Sequence, residues 1–310
     1  MKSLFEELRE PRRLFQKVIH RYPGLLRWMD DETYLRLFYR MATGRRLNLK
    51  QPQTFNEKLQ WLKLHDRRDI YTTMVDKCGA KRFVSERIGA EYVIPTLGVW
   101  DSFEEIDLDS LPVPFVLKCT HDSGGLVVCT DRRGFDREAA RRKINRRLRH
   151  NFYGYGREWP YKNVRPRIIA EPYLREPDGA ALKDYKLFCF GGVPRMTLVC
   201  SGRFGDEGLR EDFYGEDWEP LPLRRPGHAG SDAQVPRPGP YERMKAIAAR
   251  LSEGIPFARI DLYLVGDRVY FGEITLYPTG GFEGFCPEEA DLLLGRLIAL
   301  PGEREKGGAL

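Results

Sequence analysis

Apolar positions along the first third of the chain recur every three to four residues, and beyond it short β-branched or apolar runs alternate with further helical stretches, which predicts helices ahead of a mixed region of strands and helices. Residues 1–50 read as helical and arginine-rich, with Leu35, Leu37 and Phe38 among the positions that would dock on a later core. In TFNEKLQWLKLH, Thr54 and Glu57 form a capping box and Phe55, Leu59 and Leu62 follow at helical spacing. A second helix is expected over 76–88, stopped by Gly89. The pattern then changes. Tyr92–Ile94, Phe115–Cys119 and Leu126–Thr130 read as short strands, followed by a basic helix over about 136–149 and a strand at Ile168–Glu171. Longer strands at 182–190 and 193–199 are joined by Gly191-Gly192, a two-residue hairpin turn. Residues 201–240 carry many Gly, Pro and charged residues with little periodicity and read as a long functional loop or mobile lid. A helix near 241–253, two apolar runs at 257–275 and a last helix from Pro287 to about Leu300 complete the pattern, with a frayed tail and no internal repeat.

Composition narrows the classes. With 42% hydrophobic and 12% aromatic residues, 310 residues can bury one large core or two to three modest ones. The net charge of +6 comes from arginine in a mixed-sign background. That suits anionic ligands such as nucleotides or acidic glycans, whereas a nucleic-acid binder shows a sharper basic stripe. No apolar run reaches the length of a membrane span, and MKSLFEELREPRRLF carries acids where a signal peptide has an apolar core, so a cytoplasmic protein is expected. Its cationic amphipathic start leaves room for peripheral association with the inner face of a membrane. The six cysteines are scattered without a C-x-x-C pair and read as small buried thiols rather than a zinc site or disulfide framework.

The densest chemistry lies in FARIDLYLVGDRVYFGEIT, residues 257–275. If its two runs pair about Gly266-Asp267, Asp261 and Glu273 come side by side, an arrangement that suits Mg²⁺, which is held by one or two carboxylates together with phosphates. Arg259 shares a face with Asp261 and would set a cation beside those phosphates. A surface hairpin with solvated charges is the alternative. Upstream, Lys118 ends a strand and is followed by a small-residue loop with Ser123, Gly124 and Gly125, which could fold its N–H groups over phosphate or be an ordinary turn. Glu171-Pro172-Tyr173-Leu174 could be an inter-lobe connector whose backbone pairs with adenine, or a plain strand end. Asp184 and Lys186 share one face of LKDYKLFCF, toward solvent or toward an anion site. Arg203, Tyr214 and Trp218, in the irregular 201–240 segment, are candidate acceptor contacts.

Taken in order, TFNEKLQWLKLHD, VDKCGAKRFV, FVLKCTHDSGG, RIIAEPYL, LKDYKLFCFGG, DFYGEDWEPLPL and ARIDLYLV…YFGEIT resemble the ATP-grasp superfamily, in particular its TupA-like branch, named for teichuronopeptide synthesis and found in bacterial polysaccharide gene clusters. The resemblance covers roughly residues 50–290. It implies an α/β (α+β) ATP-grasp fold of two lobes clasping ATP behind a helical N-terminal region, divided as 1–112, a lid at 113–168 and a sheet subdomain at 169–310. It implies that Lys77 and Lys118 contact phosphates, that Ser123, Gly124 and Gly125 form the lid loop, and that Glu171 through Leu174 hold adenine, with Asp184 nearby. Lys186 and Arg259 would neutralise charge at the reacting phosphate, with Asp261 and Glu273 on Mg²⁺. Many ATP-grasp enzymes have asparagine two residues after the second metal carboxylate; here that position is Thr275, a weaker oxygen donor. The implied activity is an ATP-dependent carboxylate–amine ligase that joins an acidic small-molecule or glycan acceptor to an amine or amino acid. A sugar kinase using the same site, or a non-catalytic or glycosyltransferase-like protein of a polysaccharide cluster, are the alternatives.

Overall fold

The computed structural model describes residues 14–15, 17–19, 22, 24–122, 124–178, 182–202 and 208–302. Helix α1 (Asp31–Thr43) is capped by Asp30, whose carboxylate accepts from Thr33 N–H, and ends at Gly44 in the left-handed conformation. Its apolar face seats Phe38 against Phe282, ring centroids 4.5 Å apart. Helix α2 (Phe55–His65) begins with the capping box expected of Thr54 and Glu57, both reciprocal bonds being present. Helices α3 (Asp69–Val75) and α4 (Lys77–Ile88) follow, the second stopped at Gly89.

Two antiparallel sheets carry the rest. The smaller has the order β1-β4-β2-β3, from β1 (Gly98–Trp100), β2 (Phe115–Cys119), β3 (Leu126–Cys129) and β4 (Ile168–Pro172). Helix α5 (Arg137–Leu148) covers it, burying Ala140 and Ile144 against Phe115 and Leu117. The larger has the order β7-β6-β5-β8-β9, from β5 (Asp184–Phe190), β6 (Val193–Ser201), β7 (Arg210–Tyr214), β8 (Phe257–Val265) and β9 (Arg268–Thr275). All seven residues of the central strand β5 are buried. Gly191 and Gly192 both take positive φ, as a primed hairpin turn requires. Helix α6 (Tyr241–Leu251) packs on this sheet, and α7 (Glu289–Leu297) packs on α2, where Asp291 accepts from Asn56.

Several expectations are corrected. Tyr92–Ile94 is not a strand: Ala90–Tyr92 is a 3₁₀ turn, and Val93 makes only an isolated bridge to Phe271. The strand that joins the small sheet is β1, three residues long and too short to show a period. A lid boundary at 168/169 cuts β4, which pairs with β1 and β2, so the small sheet spans residues 98–172. Within residues 1–112, Phe55, Leu59, Met74 and Val84 share one core with Leu187 and Ile260 of the large sheet.

The segment 201–240 is also more ordered than its composition indicates. Strand β7 closes one edge of the large sheet, and its Tyr214 is buried. Trp218 stacks on Tyr214 at 4.4 Å between centroids, meets Tyr241 edge-on at 4.6 Å, and donates from Nε1 to the Val235 carbonyl at 3.0 Å. Tyr214 and Trp218 are therefore core residues rather than exposed acceptor contacts; Arg203 lies outside the described residues. Trp218→Ala is expected to cost about 3–5 kcal/mol of stability, as removal of a packed core indole does. Urea unfolding checks this, because a side chain serving only as a ligand contact would shift stability by no more than about 0.5 kcal/mol.

Candidate functional site

The β8–β9 hairpin places the two carboxylates through a one-residue irregularity. From the Gly266-Asp267 turn the register runs Val265↔Arg268, Leu264↔Val269, Tyr263↔Tyr270 and Leu262↔Phe271, then jumps to Asp261↔Glu273. Gly272 is the extra residue. Without this bulge Asp261 would oppose Gly272 and the Glu273 side chain would fall on the other face of the sheet. The position is tight: a Cβ on Gly272 would lie 3.0 Å from both the Asp261 carbonyl oxygen and Tyr263 Cε2.

Asp261 is buried between two cations. Lys186, opposite it on β5, donates from Nζ to Asp261 Oδ2 and lies 3.8 Å from Asp184. Arg259 donates from Nε and Nη2 to the two Asp261 oxygens at 2.7 Å each, and Nη2 also reaches Glu273 at 3.2 Å and the Thr275 hydroxyl at 3.0 Å. Burial works against the Lys186 ammonium, yet the carboxylates of Asp261, Asp184 and Glu273 outweigh it and hold its pKa above that of an ordinary lysine. Burial raises the Asp261 carboxyl above its usual value, opposed by Arg259 and Lys186. Burial would raise the Glu273 carboxyl, but its side chain is 40% exposed, and Lys186, Lys77 and Arg259, with a hydrogen bond to Asp261, bring its pKa down to about 2.

The opposite wall comes from the small sheet and α4. Lys77, in the first turn of α4, donates to the Asp122 carbonyl at 2.6 Å. Lys118 donates to Glu171 at 2.6 Å, and Lys81, one turn beyond Lys77, meets the same carboxylate at 2.5 Å. Burial alone would raise the Glu171 pKa, but these two lysines lower it. The loop after β2 is held by Arg147 of α5, whose guanidinium donates to Asp122 at 2.6 Å. Gly124 in this loop takes positive φ, and a side chain on Gly125 would meet Asp122.

One cavity of about 270 Å³ joins the walls and takes in Lys77, Lys118, Gly124, Gly125, Glu171 through Leu174, Asp184, Lys186, Asp261 and Glu273. Thus the structure brings together most of the residues singled out from the sequence. Arg259 and Thr275 reach the lining only through the carboxylates they bond, and Ser123 lies outside the described residues. Tyr173 N–H is already engaged by the Pro114 carbonyl at 3.0 Å, which narrows the connector's unused backbone groups. Lys81, Asp122 and Arg147 were missed. Lys81 had a signal, the i, i+4 spacing from Lys77 that puts both on one helix face; Arg147 had none among the many arginines of its helix.

A cleft between two antiparallel α+β lobes, with Lys77 and Lys118 on one wall and Lys186, Asp261 and Glu273 on the other, has the arrangement of the ATP-grasp class. The TupA-like ATPgrasp family model matches residues 57–299, and the chain belongs to that family. Solved structures with similar folds include a D-alanine–D-alanine ligase from Helicobacter pylori, 13% identical over 79% of this chain and 69% of that one, TM-score 0.41. Others are an ATP complex of the Bacillus anthracis D-alanine–D-alanine ligase (15%, 76% and 68%, TM-score 0.42) and a biotin carboxylase from Campylobacter jejuni (13%, 80% and 49%, TM-score 0.40). No curated protein matches the chain.

The Glu273 carboxyl yields a pH prediction. Its folded pKa of about 2 lies below the ordinary 4.5, so the stability it contributes is fully present above pH 4.5 and is lost as pH falls through about 2. The stability difference between wild type and Glu273→Gln, followed by urea unfolding, is expected to shrink from about pH 5 downward. A difference constant over that range would remove the three cations as its cause.

Proposed function

We propose that the protein is an ATP- and Mg²⁺-dependent carboxylate–amine ligase that works through an acyl phosphate, its acceptor an acidic small molecule or glycan of a bacterial surface polysaccharide and its second substrate an amine or amino acid. The observation that carries this reading is the in-register pair Asp261 and Glu273 beside Lys186, facing Lys77 and Lys118 across the cleft. Membership of an ATP-grasp family supports it.

The donor set fits magnesium. Two carboxylates side by side, at least one held ionised, leave coordination positions for phosphate oxygens and water, as this reluctantly dehydrated ion prefers. Asp261 and Glu273 would hold it, and Thr275, whose hydroxyl bonds Arg259 and Glu273, would orient Glu273. Bound Mg²⁺ would supply charge to offset that developing on the transferred phosphoryl group. Lys118 and Lys77 draw the phosphates in, the glycine loop covers them, and the Glu171–Leu174 connector receives the adenine edge. Lys186, kept protonated, faces the γ-phosphate, while Arg259 fixes the carboxylates. An acceptor carboxylate oxygen attacks the γ-phosphorus, the bond to the bridging oxygen breaks, and ADP leaves. The amine nitrogen then attacks the acyl carbon, gives up a proton, and expels phosphate as the amide forms. Such a site works mainly by positioning and charge neutralisation. ATP consumption of this kind would suit a cytoplasmic protein.

Glu273→Gln is the cleaner test of the metal assignment, because 40% of its side chain is exposed, whereas Asp261→Asn would leave Lys186 and Arg259 buried around an uncharged group. Glu273→Gln is expected to stay folded and lose Mg²⁺-dependent ADP formation by on the order of 100-fold or more. Full activity with unchanged metal dependence would sink the assignment.

Ligase and kinase differ in product. With an acidic acceptor, ATP and Mg²⁺ present and the amine replaced by hydroxylamine, a ligase gives ADP, phosphate and a hydroxamate, and the yield should collapse in Lys186→Met. A stable phosphorylated sugar without hydroxamate would establish phosphoryl transfer to a hydroxyl instead.

A further inference from the structure

Helix α5 has two jobs on two faces. Ala140 and Ile144 are buried on the small sheet, and Arg147 holds the lid loop through Asp122. Arg142, Arg146 and Arg149 follow at i, i+4 and i+7 and form one exposed ridge. None of the three has a carboxylate partner among the described residues, whereas Arg141 beside them is paired with Glu138 at 2.9 Å and lies 3.8 Å from Glu104.

The ridge borders an open cavity of about 820 Å³ whose other rim is formed by Tyr22, Gly24 and Leu25. This rim is apolar and outward-facing: Tyr22 is 61% exposed, Leu25 55% and, just beyond them, Trp28 76%. Arg27 between them is exposed as well. Arg142, Arg146 and Arg149 thus line one side of this cavity and the exposed Tyr22 and Leu25 the other, with exposed Arg27 and Trp28 in the same turn as Leu25, on a face that lies outside the cleft between the two sheets.

We propose that this face docks on a bilayer surface rich in anionic lipid headgroups, with Arg142, Arg146 and Arg149 against headgroup phosphates and Tyr22, Leu25 and Trp28 in the interfacial layer. The composition matches that site. Tryptophan and tyrosine favour the headgroup level, a leucine gains from the acyl boundary and offers nothing to a sugar ring, and arginines near an anionic leaflet are attracted within a Debye length. No helix among the described residues is long and apolar enough to cross a membrane, so the contact is one of surface adsorption. Because α5 also carries Arg147, the docking ridge and the clamp on the lid loop belong to one rigid element.

Sedimentation with vesicles tests the proposal. The full chain is expected to bind phosphatidylcholine vesicles containing about a third phosphatidylglycerol, to ignore pure phosphatidylcholine, and to be released by salt. The combined Arg142→Ala, Arg146→Ala and Arg149→Ala variant should bind on the order of 100-fold more weakly, from about fivefold per charge. Leu25→Ser with Trp28→Ser should weaken binding at unchanged charge, and brominated lipid should quench wild-type tryptophan emission more than that of Trp28→Phe. All these side chains are exposed, and unchanged thermal unfolding would establish that the variants fold. Failure to bind either vesicle overturns the proposal. So does binding of soluble polygalacturonate with the same arginine dependence and no competition from anionic vesicles, which would assign the face to an acidic glycan.

Discussion

The charge cluster around Asp261 is the constraint on which the large sheet depends and on which the proposed chemistry would rest. A carboxylate buried in mid-sheet is tolerable only when paired, and Asp261 is paired twice, with Lys186 from β5 and Arg259 from its own strand. Removing one member of such a group typically costs about 3–5 kcal/mol, because it strands the others in a poorly solvated place. The cluster also ties β5, β8 and β9 together by side chains on the same face that opens to the cleft. Asp261 is therefore structural whatever chemistry it also serves. Glu273, partly exposed and held ionised by three cations, is the group with charge to share.

That sharing rests on the bulge at Gly272. Bulges near sites commonly re-aim a side chain, and here the result can be counted residue by residue: one inserted position moves Glu273 onto the face of Asp261. Glycine suits the position because the backbone of β8 and the ring of Tyr263 leave no comfortable room for a Cβ. The two carboxylates stand five residues before and six after the turn, so a regular hairpin would have separated them. The extra residue resolves the mismatch.

Local signals explain what was legible in the sequence. The Thr54–Glu57 box, the stop at Gly89, the Gly191-Gly192 turn and the Gly266-Asp267 turn each depend on a few neighbouring residues, and each is found where the pattern puts it. Most candidate site residues line one cavity because strand ends and a helix start point them there. What failed depended on distant partners. Strand β1 exists because β4 offers an edge, and no period can appear in three residues. Tyr214 and Trp218 looked exposed amid Gly, Pro and charge, but Tyr241 and the Val235 backbone, distant in sequence, bury them. The reach of α2 to α4 into the large core was likewise invisible, since an amphipathic helix announces an apolar face and not what that face meets.

The link between the two lobes runs through α4. Its Ala80, Phe83 and Val84 belong to the core of the large sheet, while Lys77 and Lys81 on another face hold Asp122 and Glu171 of the small one. These tethers are unequal. Lys77 bonds a neutral carbonyl, which a phosphate oxygen would displace because it adds the attraction of opposite charges to the hydrogen bond. Glu171 is held by both Lys81 and Lys118, so Lys118 can turn toward a phosphate while Lys81 still neutralises the buried carboxylate. A nucleotide entering the cleft would thus exchange partners with two lysines without stranding a buried charge, and Lys81 would keep the small sheet anchored to the large one throughout the exchange.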